Sequence, residues 1–199
     1  TISDVILDLD VANGGVLIVP DLSLTGTALV YSDTNADLIS KVEVGNMLIA
    51  LYKLDITDFN NINLEDTNIL LTNLPDLIVS DIILATVSDQ ILALEPTVIV
   101  PEEDALGNPI IIVQGSTTYI DQTELENMLA ALDLLGVNDP TAFASSFDLS
   151  AINTDTDQNT LLASAIMHAT ISKTLFDLGD AVLTIPAFEE DGVTALRVD

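Results

Sequence analysis

The sequence points to an α+β fold made of tandem helix–β-hairpin–helix repeats of about 81–85 residues, with about five helices packed on three short hairpins. Three observations carry this expectation. Leu17-Ile18-Val19-Pro20 recurs as Val98-Ile99-Val100-Pro101 and, more loosely, as Leu183-Thr184-Ile185-Pro186. The segment 41–58 recurs at 122–139, with Glu43/Glu124, Asn46/Asn127, Met47/Met128 and Leu51/Leu132 among the identical pairs. Ala85-Thr86-Val87-Ser88 recurs as Ala169-Thr170-Ile171-Ser172. Landmarks in one order at one period are the mark of stacked supersecondary units.

Each unit reads as helix, hairpin, helix and acidic loop. The first helix is clearest over 76–94: it opens just after Pro75, closes before Pro96, and spaces Val79, Ile82, Ile83, Val87 and Ile91 at helical intervals. Ser3-Asp4-Val5-Ile6-Leu7 echoes Ser80-Asp81-Ile82-Ile83-Leu84 and suggests the same helix at the front of the chain. The hairpin follows as two β-branched runs. These are 16–19 with 28–31 in the first unit, 97–100 with 110–113 in the second, and 182–185 with 194–198 in the third. A proline ends each first run, a strand-end position, because proline cannot donate to a ladder.

The second helix has the strongest signals. Ser40-x-x-Glu43 and Asp121-x-x-Glu124 are both capping boxes. Leu125, Met128, Leu129, Leu132 and Leu135 then form an apolar stripe, and Gly136 supplies a C-terminal stop. The pairs Leu48/Leu51 and Leu129/Leu132 are expected in the core. On this reading residues 1–75 are one unit, 76–157 a second, and 158–199 a third that stops after its hairpin. Units this small depend on a neighbour to bury their apolar surface. A unit that stops early suggests a stretch of a longer array, or ends that meet in self-assembly.

Composition narrows the function classes. Of 199 residues, 32 are acidic (23 Asp and 9 Glu) and only 4 are basic, a formal net charge of −28. Such a polyanion repels phosphate backbones, and Lys41, Lys53, Lys173 and Arg197 are too scattered for a binding stripe, so no nucleic-acid partner is expected. No apolar run reaches the roughly 18 residues of a spanning helix, so no membrane insertion is expected. Mean hydropathy is +0.49, ample for a core despite the charge. With no cysteine there is no disulfide framework, thiolate metal site or cysteine nucleophile.

The chemistry-bearing residues each have a structural reading beside the functional one. Glu43 and Glu124 invite comparison with paired glycosidase carboxylates, but their capping-box positions account for them. His168, the only histidine, aligns with Leu84 and reads as a tolerated, partly buried side chain rather than a base. Glu102-Glu103-Asp104 and Glu189-Glu190-Asp191 sit in equivalent hairpin loops and read as solvated acids. The best ligand spacing is Asn153, Asp155, Asp157 and Asn159, with an oxygen at every second residue. It resembles the opening of an EF-hand loop but has Gln158 in place of the glycine and Ser164 in place of the closing acid, which leaves only a looser Ca2+ site.

The expected protein is therefore non-catalytic. It reads as a structural or interaction repeat module of a larger acidic, secreted or cell-surface bacterial protein, extracellular in setting, with neighbouring repeats or copies of itself as partners. At class level it resembles the modules of giant bacterial surface proteins. The alternatives are a Ca2+-binding, adhesion-type module with acidic loops and, behind that, a carboxylate-dependent enzyme acting on glycans.

Overall fold

The computed structural model describes residues 2–34, 36–57, 74–137 and 159–178. Their elements run in order: α1 (Ile2–Asp8), a 3-10 turn (Val11–Asn13), β1 (Val30–Asp33), β2 (Ala36–Ile39) and α2 (Lys41–Lys53). After these come α3 (Leu74–Leu77), α4 (Asp81–Leu92), β3 (Ile111–Gln114), β4 (Thr117–Ile120), α5 (Gln122–Leu134) and α6 (Ala165–Asp177). The fold is mixed α and β, with two small two-stranded antiparallel sheets.

Helix α4 is the axis of the core. Seven consecutive residues, Ile82 through Ser88, are buried together with Ile91, so this helix is covered on nearly every side. Strand β4 and helix α2 both lie against it. It is shorter than the 76–94 helix expected from sequence. The turn α3 stops at Leu77, and α4 restarts after Ser80, whose backbone is extended and whose hydroxyl accepts from the Ile83 N–H. Serine competes well for the helix start. The break also frees the Ile82 N–H, which a continuous helix would have tied to the carbonyl four residues back.

The expected second runs, 28–31 and 110–113, overlap β1 and β3, but each pairs with the run that follows it and not with 16–19 or 97–100. Strand β1 pairs with β2, Val30 opposite Ile39 and Asp33 opposite Ala36. Strand β3 pairs with β4, Ile111 opposite Ile120 and Gln114 opposite Thr117. The second connection is a two-residue turn at Gly115-Ser116, where Gly115 takes a positive φ of 61°. A short turn closes a ladder at less entropic cost than an eight-residue loop. The runs once expected as first strands are instead extended arms. Leu17, Val98 and Val100 are buried on them, yet the loops beyond carry isolated bridges, Leu22↔Ala28 and Glu103↔Pro109, in place of a ladder. The third expected hairpin, 182–185 with 194–198, lies outside the described residues.

The front helix also has a different register. Ser3-Asp4-Val5-Ile6-Leu7 matches Ser88-Asp89-Gln90-Ile91-Leu92 rather than the segment from Ser80. The hydrogen bonds decide it: Ser3 Oγ accepts from the Ile39 N–H at 3.3 Å, and Ser88 Oγ accepts from the Ile120 N–H at 2.9 Å. Ile6 and Ile91 are correspondingly buried.

The stripe on α5 is as expected up to Leu132, while Leu135, also expected in it, is the half-buried C-cap. Leu125, Met128, Leu129 and Leu132 are all fully buried, and Gly136 ends the helix with a φ of 67°. On α2, Met47, Ala50 and Leu51 are buried, but Leu48 is 39% exposed whereas Leu129 is 0% exposed. The difference is tertiary, since the two leucines hold corresponding places in their own helices.

Candidate functional site

The chemistry-bearing side chains converge at two helix junctions. At the first, Glu43 of α2 is only 2% exposed and points at the start of α4. Its Oε1 accepts from Ser80 Oγ at 2.5 Å and from the Ile82 N–H at 2.9 Å. The N-terminus of a helix carries unpaired N–H groups and positive potential, so a carboxylate fits there. Burial nevertheless pushes the Glu43 carboxyl above its ordinary value, and the neighbouring Asp81 charge acts the same way. The Ile82 N–H and the Ser80 hydroxyl pull in the opposite direction and offset only part of this.

Three further bonds lock the same helix. Thr86 Oγ1 donates to the Ile82 carbonyl at 2.7 Å and accepts from the Ile18 N–H at 2.9 Å, so the extended arm is fixed to the middle of α4. Asp81 Oδ1 accepts from the Leu24 N–H at 3.0 Å. Every polar side chain buried on α4 thus has a named partner, as a buried polar group requires.

The second junction reproduces the first. Glu124 of α5 is 7% exposed, and its Oε1 accepts from Ser164 Oγ at 2.7 Å and from the Ile166 N–H at 2.9 Å. Ser164 caps α6 through the Met167 N–H at 3.2 Å. Thr170 Oγ1 donates to the Ile166 carbonyl at 2.8 Å and accepts from the Ile99 N–H at 3.0 Å.

These bonds correct the capping-box reading. The Ser40 side chain makes no cap hydrogen bond, whereas Asp121 does accept from the Glu124 N–H at 3.1 Å. Neither glutamate serves its own helix start. Each reaches across to cap a later helix, α4 or α6, together with a serine that the sequence did not single out as its partner. The signal was present as Glu43/Ser80 and Glu124/Ser164, recurring pairs with nearly constant separation.

Seen as chemistry, the two carboxylates are engaged at different helix starts, Glu43 at α4 and Glu124 at α6. They are not brought to one bond. His168 is exposed on α6, not partly buried, while Leu84 at its aligned place is buried. The acidic loop 102–109 is a turn device: Asp104 Oδ1 accepts from the Leu106 and Asn108 N–H groups, each at 2.8 Å, and Oδ2 accepts from Asn108 Nδ2 at 2.8 Å. The Asn108 bonds hold its carboxyl below the usual range.

A cleft of about 410 Å³ lies beside Glu124, lined among others by Asp104, Asp121, Thr123 and Asn127. Its acids are committed to protein donors, as just described. Among the described residues no group of three or more His, Cys, Asp or Glu side chains is placed to hold a metal ion. Of the candidate Ca2+ ligands, Asn159 lies exposed in a helical turn, and Asn153, Asp155 and Asp157 fall outside the described residues, as do Glu189, Glu190 and Asp191.

No family model matches this chain, and neither the curated proteins nor the solved structures contain a significant match to it. The geometry itself therefore has to carry the functional reading. Among the described residues no helix is long and apolar enough to cross a membrane. Lys53–Asp76 and Lys173–Asp177 are exposed ion pairs, of the kind that contributes little to stability.

Proposed function

We propose that this chain is a non-catalytic structural module of tandem repeats, whose work is to hold successive units in fixed register. The observation that carries the reading is the recurrence of one hydrogen-bond set at two junctions. Glu43–Ser80 and Ile18–Thr86 cross the boundary between the units 1–75 and 76–157, and Glu124–Ser164 and Ile99–Thr170 cross that between 76–157 and 158–199. Each unit gives the next a carboxylate cap and an extended arm, so that side-chain hydrogen bonds span both boundaries. Nearest-neighbour coupling of this kind is how repeat arrays acquire stiffness. The net charge of −28 suits a large, solvated protein of the cell surface or extracellular space.

Equilibrium unfolding of the wild type and of Glu43→Ala tests the reading. In a Tyr31→Phe/Tyr52→Phe background, where Tyr119 is the one tyrosine left in a chain without tryptophan, its fluorescence follows the second hairpin, and far-UV circular dichroism follows the helices. Coincident curves in the wild type that separate in the variant are the expected result. A variant that unfolds as the wild type does would show that the junction couples nothing. Turnover of a glycan that Glu43→Gln abolishes would replace the module with an enzyme.

A further inference from the structure

Helix α2 turns an apolar stripe to solvent. Val42 is 73% exposed, Ile49 53% and Tyr52 87%, with the half-buried Gly45 between them. At about 100° per residue these four positions fall within an arc of about 80°, so they share one helix face. The same places on α5 hold Thr123, Glu126, Ala130 and Asp133, three of them exposed and Glu126 half-buried. The face is therefore open on both helices, including the one that follows a whole unit, and α2 alone makes it apolar. Glu43, the single acid of α2, is buried, whereas every other described α-helix carries an exposed acid. Lys41 and Lys53, at the two ends of α2, are half of the four basic residues in a chain of net charge −28.

Spacing and charge say what fits this stripe. The spacing is symmetric about Met47: Val42 and Tyr52 lie five residues to either side of it, and Gly45 and Ile49 two. An identical helix laid antiparallel across the stripe brings Tyr52 onto Val42 and Ile49 onto Gly45, each contact made twice. A glycine weakens a helix interior, and a Cβ built at Gly45 would meet nothing within 4 Å, so the position offers a gap for a large side chain. The antiparallel order also sets Lys41 beside the end of α2 where Lys53 pairs with Asp76, so that one carboxylate serves both amines. It opposes the two helix dipoles as well.

We infer that the outer face of α2 is a self-pairing surface, on which a second copy of this chain docks its own α2 antiparallel. The same patch serves both copies, so the contact is isologous and closes at two. It goes beyond the module reading and stands on α2 alone, since the junction bonds lie on the buried side of that helix. The absence of exposed acid on α2 removes the local repulsion between copies. The net charge of −28 on each still opposes their approach, and screening by salt favours it.

Sedimentation of the full chain over a concentration series in about 0.5 M NaCl, where the Debye length is roughly 4 Å, tests the pairing. The weight-average mass should rise from 21.1 kDa and level off at twice that value, at lower concentration than without added salt. Ile49→Ala and Tyr52→Asp, which give α2 the residues of α5, should each shift the midpoint at least tenfold in concentration. Ala130→Asp, a new charge at the matching place on α5, should leave it unchanged. Circular dichroism checks the fold of each variant, and if one α2 variant fails to fold, the other decides. The chain has no cysteine, so mixed Val42→Cys and Tyr52→Cys chains report the register: the 42–52 disulfide should form in preference to either like pair. A mass that stays at 21.1 kDa, or climbs past twice that value without levelling, would overturn the pairing. So would α2 variants that associate like the wild type, or like-pair disulfides in the majority. The module reading is decided separately, by the unfolding curves of Glu43→Ala.

Discussion

The hydroxyl of Ser80 donates to the carboxylate of Glu43 across 37 residues of sequence, and by that bond α2 caps the helix at the centre of the core. A buried acid is costly unless its oxygens are supplied with donors. Here a serine and a helix N-terminus supply them, and Glu124 with Ser164 repeats the solution at α6.

Removing the carboxylate should therefore hurt at both junctions. Glu43→Ala and Glu124→Ala strip acceptors from buried donors, and each is expected to lower stability by about 2–4 kcal/mol in urea unfolding. In a double-mutant cycle, Glu43→Ala with Ser80→Ala should show a coupling of about 1 kcal/mol. Additivity of the two would mean that the hydroxyl and carboxylate act separately.

The raised Glu43 carboxyl sets the sign of one pH effect. The folded chain holds this proton more tightly than the unfolded chain, so the contribution is fully present below the ordinary glutamate value of 4.5 and declines as pH rises through the raised folded value. Asp81 and Tyr119 face the same junction. Stability measured across this range for the wild type minus that for Glu43→Gln should fall with rising pH just above 4.5. A difference that rises there would reverse the assignment.

Leucines at corresponding places should behave differently. Leu129 is fully buried, and Leu129→Ala should cost about 2–5 kcal/mol. Leu48→Ala, at 39% exposure, should cost less than about 1 kcal/mol in the monomer. Chemical denaturation at low protein concentration and low salt gives both values directly.

Charge should show as a response to ionic strength and not to one ion. Adding NaCl to about 0.5 M screens the excess of acids and should raise the unfolding midpoint by several degrees. Ca2+ compared with EDTA at matched ionic strength should add nothing further, because the described acids at the cleft are already bound to protein donors. A large Ca2+-specific rise would place a true site in the 153–159 segment.

Local signals served well where a helix carries its own information. The α5 stripe from Leu125 to Leu132 and the Gly136 stop could be read directly, since helical periodicity and a left-handed C-terminal residue are properties of consecutive residues. The hairpins were harder. Thr117–Ile120 is polar at its start and lost to more strongly β-branched runs, although Gly115-Ser116 between two short segments was a turn signal in plain view. Ser80 was a capping signal inside an apolar helical pattern, whereas the exposure of Leu48 had no local signal.

Sequence alone was enough for the mixed α and β class, the α2 and α5 helices, and the equivalent places of Glu43 and Glu124, because recurrence, periodicity and residue type are all written along the chain. Tertiary packing decided which donors those glutamates meet, which runs pair as strands, and which of two matching leucines is dry. Those outcomes depend on what lies across the core: identical local patterns on α2 and α5 face different neighbours, and burial follows the neighbour.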